Sequence, residues 1–274
     1  MIDKTIAIYV FIDDVMKESG HKEPINRNTS DSEIITTALI AAKFFHGHID
    51  NAINFVKSSG LMPNMLGKSR FNRRIHAIFD LITNLFFSIA EVIKKINISS
   101  EYIIDSFPVP VCENIRIARS RIVKGKQFRG YKASLRKYFY GYSVQVIATV
   151  DGIPVEFAIL PGSTHDIDGM KNMYFNIPES STLYGDSGYT DYCYEEDCKE
   201  AENITMMIAR KSNSKRKHQP WQDFLIATYR KRIEIMFSQI SSMFPKRIHA
   251  VTSNGFILKL VLFIFVFTLN EKFI

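Results

Sequence analysis

The spacing of apolar residues changes once along this chain of 274 residues, and that change decides what it can build. From Ser69, the positions Phe71, Ile75, Ile78, Ile82, Leu85, Ile89, Val92 and Ile96 recur at steps of three and four, which is one stripe along a helix. Upstream, Ser30 with Glu33 three positions later makes a capping-box pattern, and Ile34, Ile35, Ala38, Leu39 and Ala42 follow at helical spacing. A shorter helix over residues 50–58 is expected to stop at Gly60. Beyond Ile96 the period is two. Residues 138–150 alternate so that Tyr140, Tyr142, Val144, Val146 and Ala148 share a face, Asp151-Gly152 is a hairpin signal, and 155–160 reads as the returning strand. Pro161-Gly162 ends it, and a helix through Asp168 and Tyr174 follows. Short strand-like runs at 102–106, 182–184 and 204–208 are separated by helical patterns over 191–201 and through Ile226, Ile233, Phe237 and Ile240. These elements predict an α/β fold, a mixed sheet with flanking helices over residues 99–274, preceded by a smaller all-α domain over 1–98.

Composition narrows the partners. With 46% hydrophobic residues, 21 Phe and 12 Tyr, the chain can bury a sizeable core, which excludes wholesale disorder. Its 35 Lys and Arg against 28 Asp and Glu give a net charge of +7, which favours an anionic partner, either nucleic acid or an acidic membrane surface. Three cysteines without a Cys-x-x-Cys pair argue against a disulfide framework or a thiolate zinc site and fit a reducing compartment. A signal peptide is not expected at the amino terminus. The apolar run 256–269, fourteen residues, reaches about 21 Å as a helix against a hydrocarbon layer of ~30 Å, and is therefore read as a helix buried against the sheet. A Gly-rich phosphate loop is not visible.

Asp105 and Asp186 each end an apolar strand pattern, and Glu234 lies on the helical pattern that follows. Strand ends open into the crevice of an α/β sheet, so the three carboxylates can converge although 81 and 48 residues separate them. Converging carboxylates repel unless cations neutralise them, and hard ions such as Mg²⁺ or Mn²⁺ suit oxygen ligands. Two ions about 3.5–4 Å apart activate a water or hydroxyl and stabilise the leaving oxygen of a phosphodiester. Isolated aspartates at strand ends also serve simply as turn or cap residues.

Basic runs flank these acids. Between 114 and 138 stand nine Lys or Arg (Arg116, Arg119, Arg121, Lys124, Lys126, Arg129, Lys132, Arg136, Lys137) and no acid. Lys211, Lys215 and Arg216 follow Asp186, and Arg230 lies just before Glu234. Such runs are either solvated faces or phosphate contacts, and their position around the carboxylates favours contact with a polyanion. Arg70, Arg73 and Arg74 at a helix entrance fit a helix-turn-helix-like DNA-binding unit, with Phe71 and Ile75 as core; a helical bundle with a basic face is the other reading. Trp221 is read either as core packed with Phe224 or as a platform for base stacking, with core favoured. His165-Asp166 is read as a helix cap ahead of a crevice role. His46 and His48 are read as helix-terminus residues, and Cys193 and Cys198 as small core residues.

The residues themselves resemble a known family, the insertion-sequence 982 family of bacterial DDE transposases. The similarity lies in Asp105-Ser106-Phe107-Pro108-Val109-Pro110-Val111-Cys112, in Phe128-Arg129-Gly130-Tyr131-Lys132-Ala133-Ser134, in Tyr184-Gly185-Asp186-Ser187-Gly188-Tyr189 and in Tyr229-Arg230-Lys231-Arg232-Ile233-Glu234. Tyr138-Phe139-Tyr140-Gly141, Pro154-Val155-Glu156-Phe157, Pro161-Gly162-Ser163 and Pro245-Lys246-Arg247-Ile248-His249-Ala250-Val251-Thr252 extend it, as do Asp31-Ser32-Glu33-Ile34-Ile35-Thr36 and Ser69-Arg70-Phe71-Asn72-Arg73-Arg74. The resemblance implies a ribonuclease-H-like domain whose Asp105, Asp186 and Glu234 bind two divalent ions. It further implies double-stranded DNA (element ends and target) as partner, a homodimer or larger assembly, and a cytoplasmic, nucleoid-associated place in a prokaryotic cell. Related transposases often carry a Lys seven residues after the Glu; Ser241 stands there, with Lys246 the nearest substitute. A stand-alone nuclease of the same fold and a non-catalytic repressor derived from a transposase are the rival readings.

Overall fold

Alternating β-branched and aromatic residues build the sheet, and runs apolar all round build the helices that surround one another. The computed structural model describes every residue except Ile25, Ala133, Ser134, Leu135 and Tyr174. The end of the helix expected through Tyr174 and the tail of the stretch 128–134 therefore lie outside the described residues. In chain order come α1 (Ile2–Glu18), α2 (Asp31–Phe45), α3 (Ile49–Ser58), α4 (Lys68–Ala77), α5 (Phe79–Ile96), β1 (Glu101–Cys112), β2 (Arg129–Lys132), β3 (Lys137–Thr149), β4 (Pro154–Pro161), α6 (Asp166–Asn172), β5 (Thr182–Gly185), α7 (Tyr192–Glu202), β6 (Thr205–Ile208), α8 (Pro220–Ser242) and α9 (Ser253–Lys272). They form two compact units, one of residues 1–88 with 240–274, the other of residues 89–239.

The first unit is organised around α2. Its capping box closes on both sides, Glu33 N to Ser30 Oγ at 3.1 Å and Ser30 N to Glu33 Oε2 at 2.7 Å. From Ile34 to Ala42 every residue of α2 is buried, which requires neighbours on all sides; α1, α3, α4 and α9 supply them. This corrects two sequence expectations. The carboxy-terminal apolar helix packs on α2 rather than on the sheet, so the division at residue 98 gives way to one inside α5 with α9 returned to the helical unit. Its length is 20 residues, about 30 Å, so the argument that it is too short for a bilayer fails. Among single described helices it is the one long and apolar enough to cross a membrane, and 67% of that stretch is buried inside the protein.

The stripe from Ser69 to Ile96 is also not one helix. It breaks at Ile78 (φ −106°, ψ 20°), where α4 and α5 meet at 58°. Phe71 and Ile75 before the break, and Ile82, Leu85 and Ile89 after it, are all buried, so each half keeps the helical period and the period alone does not report the bend.

The second unit holds the sheet. β1 pairs antiparallel with β3 on one side and parallel with β5 on the other, and β5 continues parallel to β6. The far edge of β3 is shared, by β2 at one end (Arg129↔Tyr140) and β4 at the other (Tyr142↔Pro161). This six-stranded mixed sheet with flanking helices is consistent with a ribonuclease-H-like arrangement. The hairpin at Asp151-Gly152 forms as expected, with Gly152 at φ +84°. β1 runs six residues past the expected end at Ser106, through Pro108 and Pro110. Its pairing to β5 ends at Ile104↔Gly185, so beyond that point it is an edge on that side, where prolines are tolerated.

α8 is seated on this unit by Ile226, Ile233 and Met236, all buried, and by Phe237, whose ring lies 4.6 Å from that of Phe107. Glu101 clamps it further, accepting the Tyr184 hydroxyl at 2.8 Å and the Tyr229 hydroxyl at 3.0 Å. On the other flank, Lys94 near the end of α5 donates to Glu156 on β4 at 2.8 Å, both almost fully buried (3% and 6% exposed). Such a pair is expensive to break because one charge stays behind in a dry place. Lys94→Met is therefore expected to cost about 3–5 kcal/mol in urea unfolding, while Lys94→Met with Glu156→Leu recovers most of it. A single-variant loss below about 1 kcal/mol would show that the pair carries no buried charge.

Candidate active site

The parallel pairing of β1 with β5 sets the site. Ile104 lies opposite Gly185, and the next residue on each strand is an aspartate, so Asp105 and Asp186 leave adjacent strands about 4.8 Å apart. Asp105 is 8% exposed, and its Oδ1 accepts the Ser106 amide at 2.7 Å. Burial pushes its carboxyl up to about 6; Asp186 and Asp166 push the same way, against Lys132 and the Ser106 amide. Asp186 caps the short 3-10 turn Ser187–Tyr189, accepting the Gly188 amide at 2.7 Å. Glu234 lies on α8 with a side chain 62% exposed. One turn before it, Arg230 spans the gap, its Nη2 3.9 Å from Glu234 Oε1 and 4.0 Å from Asp186 Oδ2. The structure thus brings the two aspartates side by side and holds Glu234 on the far side of an arginine; the ligand atoms of the three do not all lie within 4.8 Å of one another.

Three further groups converge here: Asp166, for which the sequence put a crevice role behind a cap, Lys132, which it counted in the basic run, and Tyr189, which it did not single out. The sequence reads Asp166 as a cap, yet its Oδ1 accepts the Ser106 hydroxyl at 2.7 Å, and burial, then the Asp186 charge, raises its carboxyl. His165 does stand at the cap position of α6, but its side chain makes no capping bond. Lys132 places Nζ 3.0 Å from the Ser106 carbonyl, which turns one member of the basic run toward the acids. Tyr189 is fully buried; its hydroxyl makes no hydrogen bond, faces Ser106 and the three aspartates, and is held well above its ordinary range by burial first and by those charges second. The aspartate of Pro161-Gly162-Ser163-Thr164-His165-Asp166 is the available signal, but that it reaches Ser106 is a tertiary contact across 60 residues.

Oxygen donors crowded without enough cations to balance them, beside a buried hydroxyl lacking a partner, fit a hard divalent ion. Among the described residues the one group of three whose ligand atoms all lie within 4.8 Å is His21, Glu23 and Asp31, and there Arg74 Nε (2.8 Å) and Arg27 Nη1 (3.2 Å) already occupy Asp31; Asp105, Asp166 and Asp186 lie side by side but not within that span. Beside the aspartates opens a cleft of about 680 Å³ lined by Asp166, Gly188, Tyr192, Arg210, Lys211 and Lys215. Arg210 pairs with Glu195, and Arg216, paired with Glu196, lies 4.5 Å from the Tyr192 ring centre.

The remaining candidates divide by exposure. Arg116, Arg119, Arg121, Lys124, Lys126 and Arg129 are all exposed, Arg116 within 3.9 Å of Glu113. Arg70 and Arg73 are exposed on α4, whereas Arg74 is spent on Asp31 and Glu23. Phe71 and Ile75 are core, at 0% and 2%. Trp221 and Phe224 are 59% and 69% exposed, which overturns the reading of a packed pair: they lie on the solvent side of α8, opposite Ile226 and Ile233. Cys193 and Cys198 are not core either, since α7 buries none of its residues. His46 and His48 flank the ends of α2 and α3, where helix-terminus residues belong, and Ser241 is exposed at the end of α8.

Crowding of Asp105 has a measurable cost. Its folded value near 6 lies above the unfolded one, so without metal the ionised form destabilises the fold above pH 6, and protonation relieves this as pH falls toward 4. Asp105→Asn is expected to stabilise the metal-free protein by about 1–3 kcal/mol at pH 7.5, seen as a higher Tm, with the gap to wild type narrowing by pH 5. A variant less stable than wild type at pH 7.5 would mean the carboxylate is well solvated or well paired.

Neither a curated protein nor a solved structure matches the chain. The profile of the family described as Transposase DDE domain matches residues 95–249, more than half of the chain and the whole span from β1 through α8. Members of that family act in transposition, bind DNA and are in general divalent-metal dependent. The segment it covers contains Asp105, Asp186 and Glu234, and on that match the chain belongs to the DDE transposase-domain family.

Proposed function

We propose that this chain is a DNA transposase that cuts and joins strands at the ends of its own insertion sequence, with Asp105, Asp186 and Glu234 as its catalytic acids. The observation that carries the reading is the adjacent pair of strand-end aspartates inside the segment that matches the family. The motifs around them resemble those of the insertion-sequence 982 group, which supports reading the chain as one of its members. Bound divalent ions, Mg²⁺ or Mn²⁺ and two in number, supply charge neutralisation and Lewis acidity at the scissile phosphate. Asp105 and Asp186 hold and orient them, and Glu234 closes the site from α8. Arg230, between Asp186 and Glu234, faces the negative charge that develops on the phosphoryl oxygens. In the first step a water oxygen bonds to phosphorus and the bond to O3′ breaks; in the second the freed 3′-hydroxyl attacks a target phosphodiester and expels that strand's own 3′-oxygen.

The exposed run from Arg116 to Arg129 and the loop carrying Lys211, Lys215 and Arg216 hold double-stranded DNA by its phosphates. Arg70 and Arg73 on the helical unit read the element ends, and the exposed Trp221 offers a ring to an unpaired base. Synapsis of two ends calls for a homodimer or larger assembly, working on the nucleoid in the cytoplasm.

The test incubates the protein with Mg²⁺ and labelled element ends. Asp105→Ala, Asp186→Ala and Glu234→Ala are each expected to abolish cutting and joining, by a factor of at least about a thousand, with DNA binding retained. Hydrolysis without joining would make the chain a nuclease; binding without either would make it a repressor. In a salt titration, Arg116, Arg119 and Arg121 changed together to Glu are expected to weaken binding to all sequences alike, with a salt slope shallower by about one for each phosphate that is no longer neutralised. An unchanged slope would return that run to a solvated face.

A further inference from the structure

The three aspartates, Asp105 buried and Asp166 and Asp186 partly exposed, share a pattern. Asp105 Oδ1 accepts the Ser106 amide, Asp166 Oδ1 the Ser106 hydroxyl and Asp186 Oδ1 the Gly188 amide, each at 2.7 Å. Each keeps its second oxygen clear of hydrogen bonds among the described residues, with Arg230 Nη2 4.0 Å from Asp186 Oδ2, so the first oxygen orients the carboxylate and the second is open to a further ligand. Ser106 thereby ties Asp105 to Asp166 through its two donors. Gly188 ties Asp166 to Asp186: a Cβ there would stand 2.9 Å from Asp186 Oδ1 and 3.0 Å from Asp166 Oδ2, so the two carboxylates approach across a residue that has no side chain to part them. The buried Tyr189 hydroxyl, without a partner, looks onto the same point. A helix cap explains none of this, since the Asp166 carboxylate bonds to β1 and not to an amide of α6.

We propose that Asp166 is a fourth carboxylate ligand of the divalent-cation site, joined to Asp105 through Ser106 and to Asp186 across Gly188. The inference rests on the reading of Asp105 and Asp186 as metal ligands and adds a residue that lies outside the Asp, Asp, Glu set. Its consequence is that the sheet and α6 supply three of the acids, which draw in around the ion, since without it the ligand atoms of Asp105, Asp166 and Asp186 do not all lie within 4.8 Å of one another.

The test is calorimetric titration of the metal-free full chain with Mn²⁺, without DNA, so that the readout is binding rather than activity. Asp166→Asn is expected to lower Mn²⁺ affinity at least about tenfold, as Asp105→Asn does, while Asp168→Asn, exposed on the same helix, leaves it unchanged. Asp166→Cys is expected to raise the preference for Cd²⁺ over Mn²⁺ at least about tenfold relative to wild type, because a thiolate ligand favours the softer ion. Wild-type Mn²⁺ affinity in Asp166→Asn, with loss in Asp105→Asn, overturns the proposal. A loss in Asp166→Asn with no change of ion preference in Asp166→Cys overturns it too, leaving Asp166 to orient its neighbours. Should wild type take up no Mn²⁺, or Asp105→Asn and Asp186→Asn bind it normally, the parent reading falls along with it.

Discussion

Two segments 81 residues apart in sequence meet as neighbouring parallel strands, and the register Ile104↔Gly185 obliges the residues that follow, Asp105 and Asp186, to share one end of the sheet. The features around them answer that forced proximity. Like charges this close, with Asp105 desolvated, disfavour the metal-free ionised state, and each carboxylate is steadied by a donor from its own turn. Lys132 and Arg230 offset part of the charge, and a divalent ion is the simplest way to offset the rest. The site is thus unfavourable for the metal-free protein, and an ion held there as proposed would relieve it.

The third acid is positioned by different means. Glu101, on the strand that carries Asp105, accepts both the Tyr184 and Tyr229 hydroxyls, and the two rings lie 4.7 Å apart, edge on face. Burial, then Glu101 itself, raises both phenols, so they remain donors across the physiological range. This clamp fixes the rotation of α8 about its axis while Ile233 and Phe237 press into the sheet side. Glu234, next to Ile233, is then directed to solvent beside Arg230 rather than into the core. Two acids are therefore set by backbone register and the third by a helix that buried apolar residues seat and the Glu101 carboxylate helps to orient.

Much of this was legible in the sequence, for reasons that differ by element. The hairpin at Asp151-Gly152 and the helix started by Ser30 carry local chemistry that tertiary structure had no reason to override. Asp105 and Asp186 were visible because apolar runs ended on them. For Asp166 a crevice role stood behind the cap, because an acid at the start of a helix is so often a cap, and its partner Ser106 lies 60 residues away in sequence. The length of β1 was hidden by Pro108 and Pro110, which an edge permits, and the break at Ile78 by a period that both halves keep. Trp221 and Phe224 misled for a simpler reason: large apolar residues are usually inside, and nothing local says which face of α8 they share. The return of α9 to the amino-terminal helices has no local signature at all, since an all-apolar helix carries no face to match to a partner.

That the paired strand-end aspartates hold a divalent cation is tested at the level of atoms by anomalous diffraction from crystals of the full chain grown with Mn²⁺. The predicted result is Mn²⁺ density bounded by the Asp105 and Asp186 carboxylates. Crystals with no density there, or with Mn²⁺ only at His21, Glu23 and Asp31, would contradict it.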